Sequence, residues 1–163
     1  MRLPVSRHPG TVVGDYVPFN FCPRSVMLYI LHKGNHRDLT YTDGEGPMVH
    51  LQADFHAVVR WASAHGRPWA LSTGNAAASY AQFYSNVGDL VQIDWGAVAN
   101  NDFRDRAVRE AKQAEFLLHE VLPWQLVEHI GVHSMRVAQQ IQSAFGNSTH
   151  RPDVTIERSW YYF

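Results

Sequence analysis

Apolar and polar positions alternate from Tyr16 to Phe21, with Tyr16, Pro18 and Asn20 on one side and Val17, Phe19 and Phe21 on the other. A period of two predicts a half-buried strand, and Pro18, which lacks an amide proton, confines it to a sheet edge or a bulge. The short apolar run from Val26 to Leu31 is ambiguous between strand and helix. Pro47 to Leu51 reads as a strand. Asp54 predicts the cap of a helix in which Phe55, Val58, Val59 and Ala62 recur at i, i+3, i+4 and i+7, with Gly66 as its stop. Pro68 to Ser72 returns as a strand. Asn75 predicts a second cap, for a helix carrying Ala76, Tyr80, Phe83, Tyr84 and Val87 on one side and closing at Gly88. Val91 to Trp95 and Phe116 to Leu118 read as strands, and Ser134 caps a last helix with Ala138, Ile141 and Phe145 on a shared face. The first fifteen residues, with Pro4, Pro9, Gly10 and Gly14, predict an arm or loop, and His32 to Gly46 a polar loop. The tail from Val154 to Phe163 is rich in β-formers. Short strands interleaved with three helices predict one compact α+β domain over residues 1–163. No glycine-rich turn of dinucleotide type joins a strand to a helix, which disfavours a doubly wound parallel sheet.

Composition narrows the classes. The chain has 163 residues, 45% hydrophobic and 18% charged, too apolar for disorder. Its longest apolar run falls far short of the ~20 residues that cross a bilayer, so no membrane span is expected. The N-terminus has no apolar signal region. Cys22 is the only cysteine, so neither an internal disulfide nor a thiolate zinc site can form, and a cytoplasmic setting is expected. The formal charge of −1 gives no global argument for nucleic acid. Any such argument must come from local clustering.

Candidate chemistry is sparse by spacing alone. His129 and His133 are four apart, as are His32 and His36, but neither pair carries the His-Glu-x-x-His pattern, so no metal is expected. Cys22 between Phe21 and Pro23 has the setting of an inert thiol. Residues 104–112 carry Arg104, Arg106, Arg109 and Lys112 against Asp105 and Glu110, a local charge of +2. Arg106, Arg109 and Lys112 recur every three residues, so a helix would place them on one side, as a solvated face or a phosphate-binding one. Glu115 sits between Ala114 and the apolar run Phe116 to Leu118. That position suits either a structural ion pair or a catalytic carboxylate, and spacing leaves both open.

Several segments together resemble the DarT toxins, which ADP-ribosylate thymidine in single-stranded DNA with NAD. They are Gly14-Asp15-Tyr16-Val17-Pro18-Phe19-Asn20-Phe21-Cys22-Pro23-Arg24-Ser25 with Met27-Leu28-Tyr29, then Gly46-Pro47-Met48-Val49-His50-Leu51 and Ile93-Asp94-Trp95. Gln113-Ala114-Glu115-Phe116-Leu117, Pro123-Trp124, Ile130-Gly131-Val132-His133-Ser134 and Trp160-Tyr161-Tyr162 complete an ordered set. The resemblance implies an ADP-ribosyltransferase-like fold: two packed antiparallel sheets with helices around an NAD cleft, and NAD as co-substrate with no metal. It identifies Glu115 as the catalytic glutamate. Breaking the bond between nicotinamide and ribose develops an oxocarbenium ion, which a carboxylate near the ribose stabilises most in the transition state. The resemblance also calls for an arginine at thymine N3, with Arg2 as the better match and Arg7 as the fallback. A guanidinium is a poor proton acceptor, so its charge would stabilise the deprotonating N3 and the NAD phosphates.

Tyr16 and Arg24 join Arg2 as expected cofactor contacts. Residues 72–115 correspond to the substrate-recognising region, where Arg106, Arg109 and Lys112 would meet phosphates and Trp95, Asn100 and Asn101 the bases. A paired N3 is unavailable, so a single strand is required. Family members begin with a histidine-bearing NAD-binding segment ahead of the arginine arm, whereas here Met1 directly precedes Arg2. The domain is therefore expected to be truncated at its N-terminus relative to the family. Two expectations follow: a DNA-modifying toxin paired with a macrodomain antitoxin, or an impaired remnant that still binds single-stranded DNA or that antitoxin. An ADP-ribosyltransferase with a protein target is the third reading.

Overall fold

The computed structural model describes residues 3–34, 36, 37 and 39–163. Two compact units make up the chain, Met1–Ser25 with Val59–Leu122, and Val26–Val58 with Pro123–Phe163.

The first unit is built on a four-stranded antiparallel sheet. Its strands are β1 (Tyr16–Asn20), β3 (Trp69–Ser72), β4 (Phe83–Tyr84) and β5 (Glu115–His119), in the order β1-β5-β3-β4. Pro18 lies on the edge strand β1, where its missing amide proton breaks no inner ladder. The central strands are the uninterrupted apolar runs: all of β3 is buried, as are Phe116, Leu117 and Leu118 of β5. The N-terminal segment is folded rather than extended. Pro4 and Val12 form an antiparallel bridge, His8 Nε2 lies 2.7 Å from the Trp69 carbonyl, and Val5 is buried beside Tyr16, Ala70, Ala76, Phe83 and Leu117. Helices α3 (Trp95–Ala99) and α4 (Arg106–Ala111) begin at the caps Asp94 and Asp105.

Two sequence expectations fail in this unit. No helix follows Asn75. Its side chain accepts the Ala77 amide in a turn at 2.8 Å, and Phe83 and Tyr84 pair with Ser72 and Leu71 as β4. The aromatic spacing imitates a helix, but pairing with β3 wins and leaves Tyr80 exposed. Gly88 does not close a helix either: it lies in the first turn of a 3-10 segment, Val87–Gln92, capped by Asn86. Nor is Val91 to Trp95 a strand, since the 3-10 segment runs into the cap of α3.

The second unit holds a three-stranded sheet, β2 (Val49–Gln52), β6 (His129–Val132) and β7 (Asp153–Ile156), in the order β2-β6-β7. The first pair is antiparallel and the second parallel, joined by helix α5 (Met135–Ala144). Ser134 caps α5 as expected, and Gly146, at φ +49°, ends the segment beyond it. The ambiguous run at Val26 becomes helix α1 (Val26–Lys33). Only the start of the tail is strand; Arg158–Trp160 turns as a 3-10 segment. Gly131 is required in β6 because the Trp160 ring occupies the place of its absent Cβ. Glu45, buried, accepts the Tyr162 amide at 2.9 and 3.0 Å and lies 2.9 Å from His32 Nδ1. Helix α2 (Phe55–Ala64) starts at Asp54, whose carboxylate accepts the Ala57 amide at 2.7 Å, and Gly66 follows it at φ +60°. Among the described residues no helix is long and apolar enough to cross a membrane.

Candidate active site

Glu115 is the first residue of the central strand β5, with Asn20 of β1 on one side and Ser72 of β3 on the other. The apolar run behind it anchors its backbone in the sheet, while its side chain reaches the loop that leaves β3. There Oε2 accepts the backbone N–H of Ala76 at 3.0 Å. Ala76 is buried, so the donor is held by the core on which its methyl rests. Among the described residues no lysine, arginine or histidine pairs with Glu115. Burial pushes its carboxyl above the ordinary glutamate value, and the Ala76 amide pulls the other way. A half-buried carboxylate with one oxygen fixed and no counter-charge is a ready acceptor for a hydroxyl and a partner for a developing cation. Of the two readings spacing left open, the ion pair finds no partner among the described residues.

Two further residues, Ser72 and Gly74, set this carboxylate and were missed in the sequence. Ser72 Oγ lies 3.3 Å from the Glu115 amide nitrogen as acceptor and donates to the Gly74 carbonyl at 2.7 Å. A Cβ at Gly74 would come within 3.1 Å of the Glu110 carbonyl oxygen, so any side chain there would press on the backbone of α4. Their signal was a serine ending an otherwise apolar strand, followed after Thr73 by glycine and asparagine.

The other candidates are dispersed. Arg2 lies outside the described residues. Arg7 donates from Nε to the Phe83 carbonyl at 2.8 Å and lies 5.9 Å from the centre of the Tyr84 ring. It borders an open cleft of about 360 Å3 with Ser6, Gln82 and Tyr84. Tyr16 is buried in the core, its hydroxyl 2.9 Å from Thr11 Oγ1 and its ring edge-on to His119. It supports the sheet instead of presenting a surface to a ligand, which corrects its expected contact with the cofactor. Arg24 is half-buried just beyond β1.

Arg106 and Arg109 are exposed on α4, Arg106 donating to Glu110 at 2.8 Å. Lys112 is not on that face. The helix ends at Ala111, and the lysine turns inward, 2% exposed, to donate to the Val98 carbonyl at 2.7 Å with Cys22 Sγ 3.5 Å away. Its expected phosphate contact is corrected on that ground. Trp95 is 46% exposed, its indole donating to Leu90 and its ring edge-on to Phe21 at 5.3 Å. Asn100 caps α3 from outside and accepts the Asp102 amide at 2.8 Å, and Asn101 is exposed beside it. His129 sits on a strand between Gln52 Oε1 and Thr155 Oγ1, and His133 against Phe163. Among the described residues no three histidine, cysteine or carboxylate side chains converge to hold a metal.

Two sheets in an α+β chain, with a carboxylate at the start of a central strand, fit the ADP-ribosyltransferase fold class. The match to solved structures bears this out: DarT of Thermus sp. 2.9 in complex with NAD+ superposes with a TM-score of 0.86 at 35% identity, covering 99% of this chain and 78% of that one. The same protein in complex with ADP-ribosylated single-stranded DNA gives 0.86 as well, covering 74% of that chain. The chain belongs to the DarT family, described as ssDNA thymidine ADP-ribosyltransferase, whose model matches residues 1–162. A DNA ADP-ribosyl transferase of Thermus sp. strain 2.9 is 37% identical over 99% of this chain and 75% of its own length. The enzyme of that name from Escherichia coli O127:H6 is 29% identical over 98% of this chain and 72% of its own length.

Proposed function

We propose that this chain transfers ADP-ribose from NAD to thymidine bases in single-stranded DNA, acting over residues 1–163 as one catalytic domain. The observation that carries the reading is the half-buried carboxylate of Glu115, without a cationic partner among the described residues and held from one side by Ala76. Its free oxygen accepts a ribose hydroxyl, and its charge faces the carbon that becomes electron-poor as nicotinamide leaves. The C1′ bond to the nicotinamide nitrogen breaks, a bond from C1′ to thymine N3 forms, neutral nicotinamide departs and the N3 proton passes to solvent. Arg7 supplies positive charge from the cleft it lines, its Nη atoms not engaged by the Phe83 carbonyl that holds Nε. Arg106 and Arg109 meet the phosphates of the strand, and Trp95 offers an exposed aromatic edge to a base. A macrodomain antitoxin that reverses the modification is the expected partner, and the cytoplasm the expected compartment.

The test incubates the chain with NAD and a thymine-containing oligonucleotide and weighs the DNA. The expected product is the oligonucleotide plus one ADP-ribose, absent with Glu115→Ala and absent from duplex DNA. Label on polypeptide alone would transfer the assignment to a protein target. A folded chain that binds the oligonucleotide but adds nothing would leave a DNA-binding protein without transferase activity.

A further inference from the structure

Glu115 owes its aim to a loop, and that loop is tied down by one buried hydroxyl. We infer that Ser72 is a positioning residue for the Glu115 carboxylate, acting through the Gly74 carbonyl and the Ala76 amide. The inference rests on the reading of Glu115 as the reacting carboxylate.

Ser72 is fully buried at the last position of β3, opposite Glu115 in the sheet register. Its hydroxyl serves two directions at once. As acceptor it takes the Glu115 amide at 3.3 Å, at the point where the ladder between β3 and β5 ends; as donor it holds the Gly74 carbonyl at 2.7 Å. Two residues further on, the Ala76 amide reaches the Glu115 carboxylate at 3.0 Å. The hydroxyl therefore links both ends of the same short circuit: the backbone that carries the glutamate and the turn that binds its side chain. The rest of the loop is braced to match. Asn75 Nδ2 lies 3.4 Å from Gln113 Oε1, and the Ala76 methyl is buried in the core.

A serine that only filled space here could be alanine at little cost, since both lack bulk. One that positions cannot, because alanine leaves two part-buried backbone groups without this partner and frees the turn that aims Ala76. Among the described residues, burial raises the titration of Glu115 and the Ala76 amide lowers it, with no charged side chain of theirs contributing. Loss of the amide contact therefore removes an influence that favours the carboxylate, and the carboxyl becomes harder to ionise.

The experiment titrates the side-chain carboxyl of Glu115 by carbon-13 NMR in the full chain, the resonance assigned by its absence in Glu115→Gln. Ser72→Ala is expected to move the midpoint upward by about half a unit or more, within the effect of one backbone hydrogen bond on a carboxylate. Ser72→Thr, which keeps the hydroxyl, is expected to hold the original midpoint and guards against a fold lost in the alanine variant. The acid limb of transferase activity should shift with the titration. An unchanged midpoint in folded Ser72→Ala overturns the inference. Because the titration needs no turnover, it answers even if the chain adds nothing to DNA, so failure of the proposed reaction is told apart from failure of the positioning role.

Discussion

Lys112 is the residue whose role the structure changes most, and replacing it separates a packing function from a DNA contact. Its ammonium donates to the Val98 carbonyl, one of the last carbonyls of α3, which has no partner within its own helix turn. Truncation to alanine removes three buried methylenes, worth about 0.8 kcal/mol each. It also leaves that carbonyl without this donor, at about 1–3 kcal/mol. Release of a desolvated charge offsets part of the loss, so Lys112→Ala should cost about 2–4 kcal/mol. Lys112→Met keeps the stem and forfeits only the hydrogen bond, with relief of the same charge, so it should cost under about 1.5 kcal/mol. Urea denaturation of the three proteins gives the stabilities. Binding of single-stranded oligonucleotide across a salt series then tests the surface role: both variants, where folded, should keep the wild-type slope. A phosphate-contacting lysine would instead lower that slope by about 0.7 on removal. Either that drop in Lys112→Met, or an alanine variant as stable as wild type, would refute the placement.

Other predictions concern the site, the surface and the second unit. Glu115→Gln should stabilise the chain by about 0.5–2 kcal/mol at pH 7 to 8, the scale of other single stabilising changes. The sign follows from the raised carboxyl: the folded state holds its proton longer, so the charge costs stability above the folded value. The gain should fade as pH falls and vanish below the ordinary value of 4.5, and melting curves across pH would show it. Arg109→Ala should weaken single-strand binding and reduce its salt slope by about 0.7, whereas Arg106→Ala, already tied to Glu110, should change it less. Gly131→Ala should cost about 1–3 kcal/mol by driving a methyl into the Trp160 ring, read by denaturation.

Much of the scaffold was legible because its signals are local. Pro18 announced an edge strand, Asp54 and Gly66 bracketed α2, and Ser134 marked the start of α5. Residues 75–95 were not, because their spacing of aromatics fits a helix and only the distant partners Leu71 and Ser72 make Phe83 and Tyr84 a strand. The same holds for Lys112: the three-residue rhythm with Arg106 and Arg109 is real, but α4 stops one residue short and the side chain goes inward. Glu115 was visible as a candidate and undecided by spacing. Its lack of a cationic partner among the described residues, and its grip from Ala76, depend on a loop contact between positions 39 apart in the chain. Tyr16 shows the converse, a motif residue whose side chain belongs to the core.

The central claim is that one carboxylate drives the departure of nicotinamide from ribose. The most direct measurement compares the rate of ADP-ribose addition to a thymine oligonucleotide by wild type and Glu115→Gln, at saturating NAD and with both proteins shown to be folded. The account predicts a loss of about a hundredfold or more, the scale of removing a preorganised electrostatic partner. A glutamine variant that modifies DNA within threefold of wild type would contradict it.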